Sequence, residues 1–372
     1  MILCMIFVIL PPFVYAEENT QQSDNSQILG ELSDNMHSYT DDDVNKTLEE
    51  NDISLENPES LRNISFGGVV RHVLGLFQNA LKSPVIMLGK ILAITVLCAA
   101  AENMCPQNSQ VSGAFKMLGI LSVITVTYES IYSSVSLVQN AIDRISGFII
   151  SYTPVFSSIT AVGGSTAVSA SYYAMTLMAC DIITVIGNKV IMPFVSIVTA
   201  MSVISAVNPR LNFSGAAESV KKACHWILGS GSSLFVGLLS IQGIAGSATD
   251  SLASKTAKFA ASSFIPIVGG AVSDGYSAIK GSLGIIRSSV GVIGIIIVAI
   301  IVLPPMVSIV ASKLMISISQ TISGLFNQKE CTQLLKSINA VLSISLSVMV
   351  CLSLVFIIST AVVMIMAMNV AM

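Results

Sequence analysis

Eight carboxylates occur after residue 60, and of these only Asp181 sits well inside an apolar run. A charge in hydrocarbon is costly, so such an acid either handles ions or protons along a pathway or bonds a neighbouring helix through Ser or Thr. Both roles stay open for Asp181. Asp274 stands at the entrance of a run with helical period, where a carboxylate suits the positive end of the helix dipole, as a cap or as an ion or proton site. Lys280 and Arg287 follow it seven residues apart, on a common side of that helix. Nucleophilic chemistry finds little. Ser277-Ala-Ile-Lys280 and Ser219-Val-Lys-Lys222 fit Ser-x-x-Lys, but the companion motifs are missing. There is no Gly-Lys-Ser/Thr phosphate loop, no His-Glu-x-x-His and no Gly-x-Ser-x-Gly. His37, His72 and His225 are far apart, and none of the seven cysteines forms a Cys-x-x-Cys pair. The expectation is therefore no metal, no cofactor, no catalytic residue and no enzymatic activity.

The elements that must position these groups centre on residues 255–294. Residues 259–273, with Phe264 among them, carry no charge, yet the run is shorter than the ~20 residues a span needs. Pro266 removes a backbone donor, and Gly269-Gly270 loosens the chain beyond it. In a membrane the freed backbone groups must be met by protein or cavity water, which predicts a broken or re-entrant element inside a bundle. An amphipathic surface loop between two spans is the plainer alternative. Beyond it, Ser277, Gly281, Gly284, Ser288 and Gly291 fall at alternating steps of four and three, a stripe of small residues on one helical face. Such stripes let membrane helices approach closely. Pro154 followed by Gly163-Gly164 repeats the Pro266 to Gly270 arrangement in miniature.

The composition requires a membrane. The chain has 372 residues, 53% of them hydrophobic and 10% charged, with mean hydropathy +0.80; soluble domains carry about 25% charged residues. The net charge of −3 conceals a division. Residues 17–60 hold thirteen acids against Lys46 alone, a local balance of −12, so the remainder carries +9. The basic residues are scattered between apolar runs, so no nucleic-acid partner is expected. Residues 1–16 read as a signal sequence or N-terminal anchor, and residues 17–60 as an exported, largely disordered acidic segment. Asp41-Asp42-Asp43 lacks the spaced oxygens and central Gly of a calcium loop. Residues 61–83 have the spacing of an amphipathic helix at the membrane surface. Residues 84–372 form a multi-span body with seven or eight candidate spans, among them 84–101, 117–138, 145–162, 165–187, 190–207, 227–245, 289–311 and 340–368, with 313–337 as a surface helix pair. The fold class is all-α: a polytopic membrane helix bundle with broken or re-entrant elements. The basic link 210–225 belongs on the cytosolic side by the positive-inside rule, with Trp226 at the interface.

Residues 256–294, TAKFAASSFIPIVGGAVSDGYSAIKGSLGIIRSSVGVIG, resemble the signature of the stage III sporulation protein AE family, polytopic membrane proteins of endospore-forming bacteria. Residues 152–165, YTPVFSSITAVGGS, resemble that family's Pro-containing segment ending in Gly-Gly. The resemblance implies a membrane subunit of the mother-cell sporulation complex, a channel or secretion-like apparatus that links mother cell and forespore. It implies other membrane subunits of that complex and membrane lipid as partners, and the mother-cell membrane around the forespore as the location. It supplies no catalytic residue. A self-contained secondary transporter or permease, coupled to ions through Asp181 or Asp274, is the alternative.

Overall fold

A computed structural model describes residues 46, 66–104, 110–207, 214–264 and 269–371, so most of the acidic segment, the signal-like run and Pro266 lie outside the described residues. The elements are helices: α1 Phe66–Met104, α2 Gln110–Val162, α3 Thr166–Val185, a π segment Ile186–Ile191, α4 Met192–Val207, α5 Ser214–Phe264, α6 Gly269–Leu325 and α7 Lys329–Ala371. The long apolar runs dictate this, because a helix satisfies its backbone hydrogen bonds within one segment. Pro84, Pro154, Pro304 and Pro305 all lie inside helices. Around Pro154 the hydroxyls of Thr153 and Ser158 bond back to the carbonyls of Ile149 and Pro154, at 2.6 and 2.8 Å. Helix α1 is likewise continuous across positions 83 and 84.

Among the described residues, six helical rods are apolar and long enough to cross a membrane: Leu74–Glu102, Gly113–Val162, Thr166–Ala206, Gly215–Ala257, Ser277–Leu325 and Lys329–Ala367. This corrects the span list read from the sequence. Runs 117–138 and 145–162 are one helix, because Asp143 and Arg144 are carried on its flank without breaking it. Runs 165–187 and 190–207 are one rod, joined through the π segment, where Asn188 Nδ2 donates to Asp143 Oδ1 at 2.7 Å. The region 313–337 is no surface pair: its first part ends α6, and its last part begins α7 after a short turn at residues 326–328. At 1.5 Å per residue, the 57 residues of α6 extend about 85 Å. That is nearly three times the ~30 Å hydrocarbon layer, so part of each long helix reaches beyond it.

Helices α6 and α7 form the inside of the bundle, with 67% of their most apolar windows buried, and α5 the outside, with 17%. An aromatic column joins α2, α3 and α7. Phe148, Tyr152 and Phe156 follow one another by a turn on α2 and stack, with centroids 5.3 and 5.6 Å apart. Phe356 of α7 meets Phe148 and Tyr152 edge-on, and Tyr172 of α3 meets Phe156 in the same way. Such pairs add roughly 0.5–1.5 kcal/mol each beyond their buried area. Tyr152 Oη donates to the Val290 carbonyl at 3.0 Å, fixing α2 against α6. Glycine on α6 makes room for this column. A Cβ at Gly294 would strike the Tyr152 ring, and one at Gly291 would strike Met364 and Phe156.

Candidate functional site around the buried 163–165 turn

Helix α2 ends in two glycines because the chain must reverse there. Gly164 has φ +83°, in the left-handed region that suits glycine. The Ser165 amide donates to the Thr160 carbonyl at 3.2 Å and the Gly164 amide to Ala161 at 2.9 Å, the paired bonds of a Schellman ending. Helix α3 starts at once. The two helices are clamped across the turn by Ser157 and Ser169: each hydroxyl reaches the other's backbone carbonyl, at 3.2 and 2.6 Å, and their Oγ atoms are 2.8 Å apart.

Ser165 is the N-cap residue of α3, but its side chain makes no cap bond. The cap comes from Asp250 on α5. Asp250 Oδ1 accepts from the Ala167 amide at 2.9 Å and the Thr166 hydroxyl at 3.2 Å, and Oδ2 accepts from the Val168 amide at 3.0 Å. A carboxylate is well placed at the positive end of a helix, where the first amides lack intrahelical partners. One turn earlier on α5, Gly246 allows the approach: a Cβ there would lie 3.1 Å from the Val168 nitrogen. One turn later, Ser254 Oγ accepts from Lys280 Nζ of α6 at 2.9 Å. Gly246, Asp250 and Ser254 thus occupy one face of α5 at four-residue steps.

Arg287 of α6 lies on the other side of the turn. Its Nη1 would be 3.6 Å from a Cβ at Gly163, beside the carbonyl end of α2, where a cation complements the dipole. Its Nε and Nη2 are buried without a hydrogen-bond partner, as is Ser165 Oγ. Asp250, Lys280 and Arg287 are 3%, 5% and 1% exposed, and they are the buried charged side chains among the described residues. All three surround this turn. The arrangement holds two helix ends in opposite electrostatic complement.

Of the residues expected from the sequence, Gly163 and Gly164 form the turn, and Lys280 reaches Ser254 one turn along α5 from Asp250. Pro154 is half-buried within α2, more than two turns before the glycines. Ser277 is half-buried one turn before Lys280. The small-residue stripe divides. Gly281 is exposed with nothing within 4 Å of a Cβ, and at Gly284 a Cβ would meet only Arg287 of the same helix, at 4.0 Å. Ser288 bonds back to the Gly284 carbonyl at 3.0 Å. Close packing is found at Gly291 and at Gly294, which the stripe did not include. Asp181 is exposed on the outer side of α3, next to Ile182 at 48% exposure, and is not brought to the turn. Phe264 ends α5, while Gly269, Gly270 and Asp274 lie in the first six residues of α6. Gly246, Asp250 and Ser254 were missed. Their four-residue spacing in a semi-polar stretch was the available signal.

An all-helical bundle with six membrane-length rods and its buried charges gathered at one internal turn is a multi-pass membrane protein. The family model for stage III sporulation protein AE matches residues 55–367, and the chain belongs to that family. It is 21% identical over 244 residues to stage III sporulation protein AE of Bacillus subtilis (strain 168). That alignment covers 64% of this chain and 61% of the relative, less than two thirds of its length. No solved structure matches the chain.

Proposed function

We propose that this chain is a non-catalytic membrane subunit of the mother-cell sporulation complex, a channel or secretion-like apparatus that links mother cell and forespore and supports spore development. It acts in the mother-cell membrane around the forespore, among other membrane subunits. The observation that carries this reading is the family match across residues 55–367, which includes nearly all of the described helices. The site supports it in kind: its charges hold helix ends in place, as a scaffold requires. An ion-coupled transporter draws less support at Asp181, which faces outward, while the side chain of Asp274 lies outside the described residues.

The test is purification of a tagged chain from sporulating cells, where other membrane proteins of the complex are expected to come with it. Recovery of the chain alone, in a detergent that preserves its fold, would reject the subunit reading. Arg287→Met adds a second measurement. Arg287 Nε and Nη2 have no hydrogen-bond partner, so an apolar side chain of similar length removes a buried charge without orphaning a partner of those two atoms. The variant is therefore expected to insert normally and yet to lower spore yield at least tenfold. Wild-type sporulation would reduce Arg287 to a packing residue.

A further inference from the structure

At the opposite end of α5 from Asp250, the bundle carries a second set of charged residues, this one open to the outside. Lys221 and His225 are one turn apart on α5, and Lys313 of α6 lies within electrostatic reach of both. They converge on Ser343 of α7: Lys313 Nζ donates to its Oγ at 2.6 Å, and the His225 imidazole donates to its backbone carbonyl. Among the described residues, Glu218 is the carboxylate beside them, 3.5 Å from Lys221. Lys222 adds a further exposed cation beside Lys221. Lys221 and Lys313 are like charges within electrostatic reach of each other, and an anion between them would relieve their repulsion.

The surroundings specify what kind of anion. Trp226, 73% exposed, follows His225 directly, and Ile227 and Leu314, next in sequence to Trp226 and Lys313, are also exposed. Trp favours the boundary between headgroups and hydrocarbon. A basic cluster with exposed apolar residues next to it in sequence matches an amphiphile with a negative head and apolar chains.

We propose that Lys221, His225 and Lys313 form a binding site for the phosphate headgroup of an anionic glycerophospholipid, whose acyl chains lie along α5 and α6 beside Trp226. The site is separate from the turn at residues 163–165 and does not depend on the role in sporulation.

The experiment uses the full chain in nanodiscs of phosphatidylcholine with increasing phosphatidylglycerol, followed by native mass spectrometry of the released protein. Wild type is expected to retain phosphatidylglycerol in preference to phosphatidylcholine. The Lys221→Gln/Lys313→Gln variant is expected to lose about tenfold in that preference, whereas Lys255→Gln, an exposed lysine at the far end of α5, leaves it unchanged. Equal retention by wild type and the double variant overturns the proposal. So does displacement of the lipid by an equal concentration of soluble glycerophosphoglycerol, which would mean that the site reads a free anion. Should the double variant aggregate, the wild-type titration decides alone, and no preference for phosphatidylglycerol overturns the site.

Discussion

Two turns in this bundle close with the same pair of backbone bonds and are stabilised in opposite ways. At residues 326–328 the Gln328 amide donates to Ser323 at 3.0 Å and the Asn327 amide to Gly324 at 3.1 Å. This repeats the pattern at Ser165 and Gly164, with Asn327 at φ +53° in the place of Gly164. The following helix, α7, starts from its own sequence: Glu330 lies in its first turn, and Thr332 bonds back to the Gln328 carbonyl through both its amide and its hydroxyl. Helix α3 has no acid in its first turn and takes its cap from Asp250, more than eighty residues away. The second turn starts its helix from its own sequence, and Gln328 Nε2 also donates to Glu102 of α1 at 3.1 Å. The first turn closes locally, but the cap of the helix after it comes from α5, so that cap reports on tertiary assembly.

The largest expected break in that comparison is Asp250→Leu. It removes an acceptor of three hydrogen bonds and leaves two buried amides unmet, at a cost of about 3 kcal/mol or more. Thermal unfolding and protease resistance of the detergent-solubilised protein should both fall sharply, with Asp250→Asn less affected because one acceptor oxygen remains. Unchanged stability of Asp250→Leu would mean that α3 does not depend on this cap. Gly246→Val should cost about 1–3 kcal/mol by forcing α5 away from the first turn of α3. Gly237→Val, on the same helix with nothing within 4 Å of a Cβ, should be mild in the same assay. The smallest effect is expected at the second turn. Asn327→Ala should cost about 1 kcal/mol for its left-handed backbone, and Asn327→Gly should be close to neutral. A larger loss at Asn327 than at Asp250 would invert the comparison.

Composition alone carried the fold class, because 10% charge cannot cover a soluble bundle of this length. The helix boundaries were less legible. Asp143, Arg144, Asn188 and Lys189 look like breaks in a hydropathy trace, but a helix turns such residues onto an outer flank and continues. Gly163-Gly164 was readable because a glycine pair after an apolar helix has a local backbone meaning. Asp250 was not, because its four-residue spacing with Gly246 and Ser254 marks a helix face and does not name the amides that it caps. Asp181 drew attention through its apolar neighbours along the chain. Hydropathy along a chain says nothing about which side of a helix a residue occupies, and the structure turns Asp181 outward. The small-residue stripe had the right helix, but close approach starts only at its last member, Gly291 against Phe156 and Met364, and continues at Gly294 against Tyr152.

Helix α6 joins the two turns physically. Arg287 lies against the first, and Leu325 leads directly into the second, some 57 Å further along the same helix axis. A stiff rod of that length is a lever: a tilt of about 5° at one end moves the other by about 5 Å. Pro304 and Pro305 lie near the middle of this arm and remove two consecutive backbone donors, making it the most compliant point. Strain applied at the charged turn is therefore either delivered to the far turn or absorbed at the proline pair, and the stiffness of those two residues sets the share.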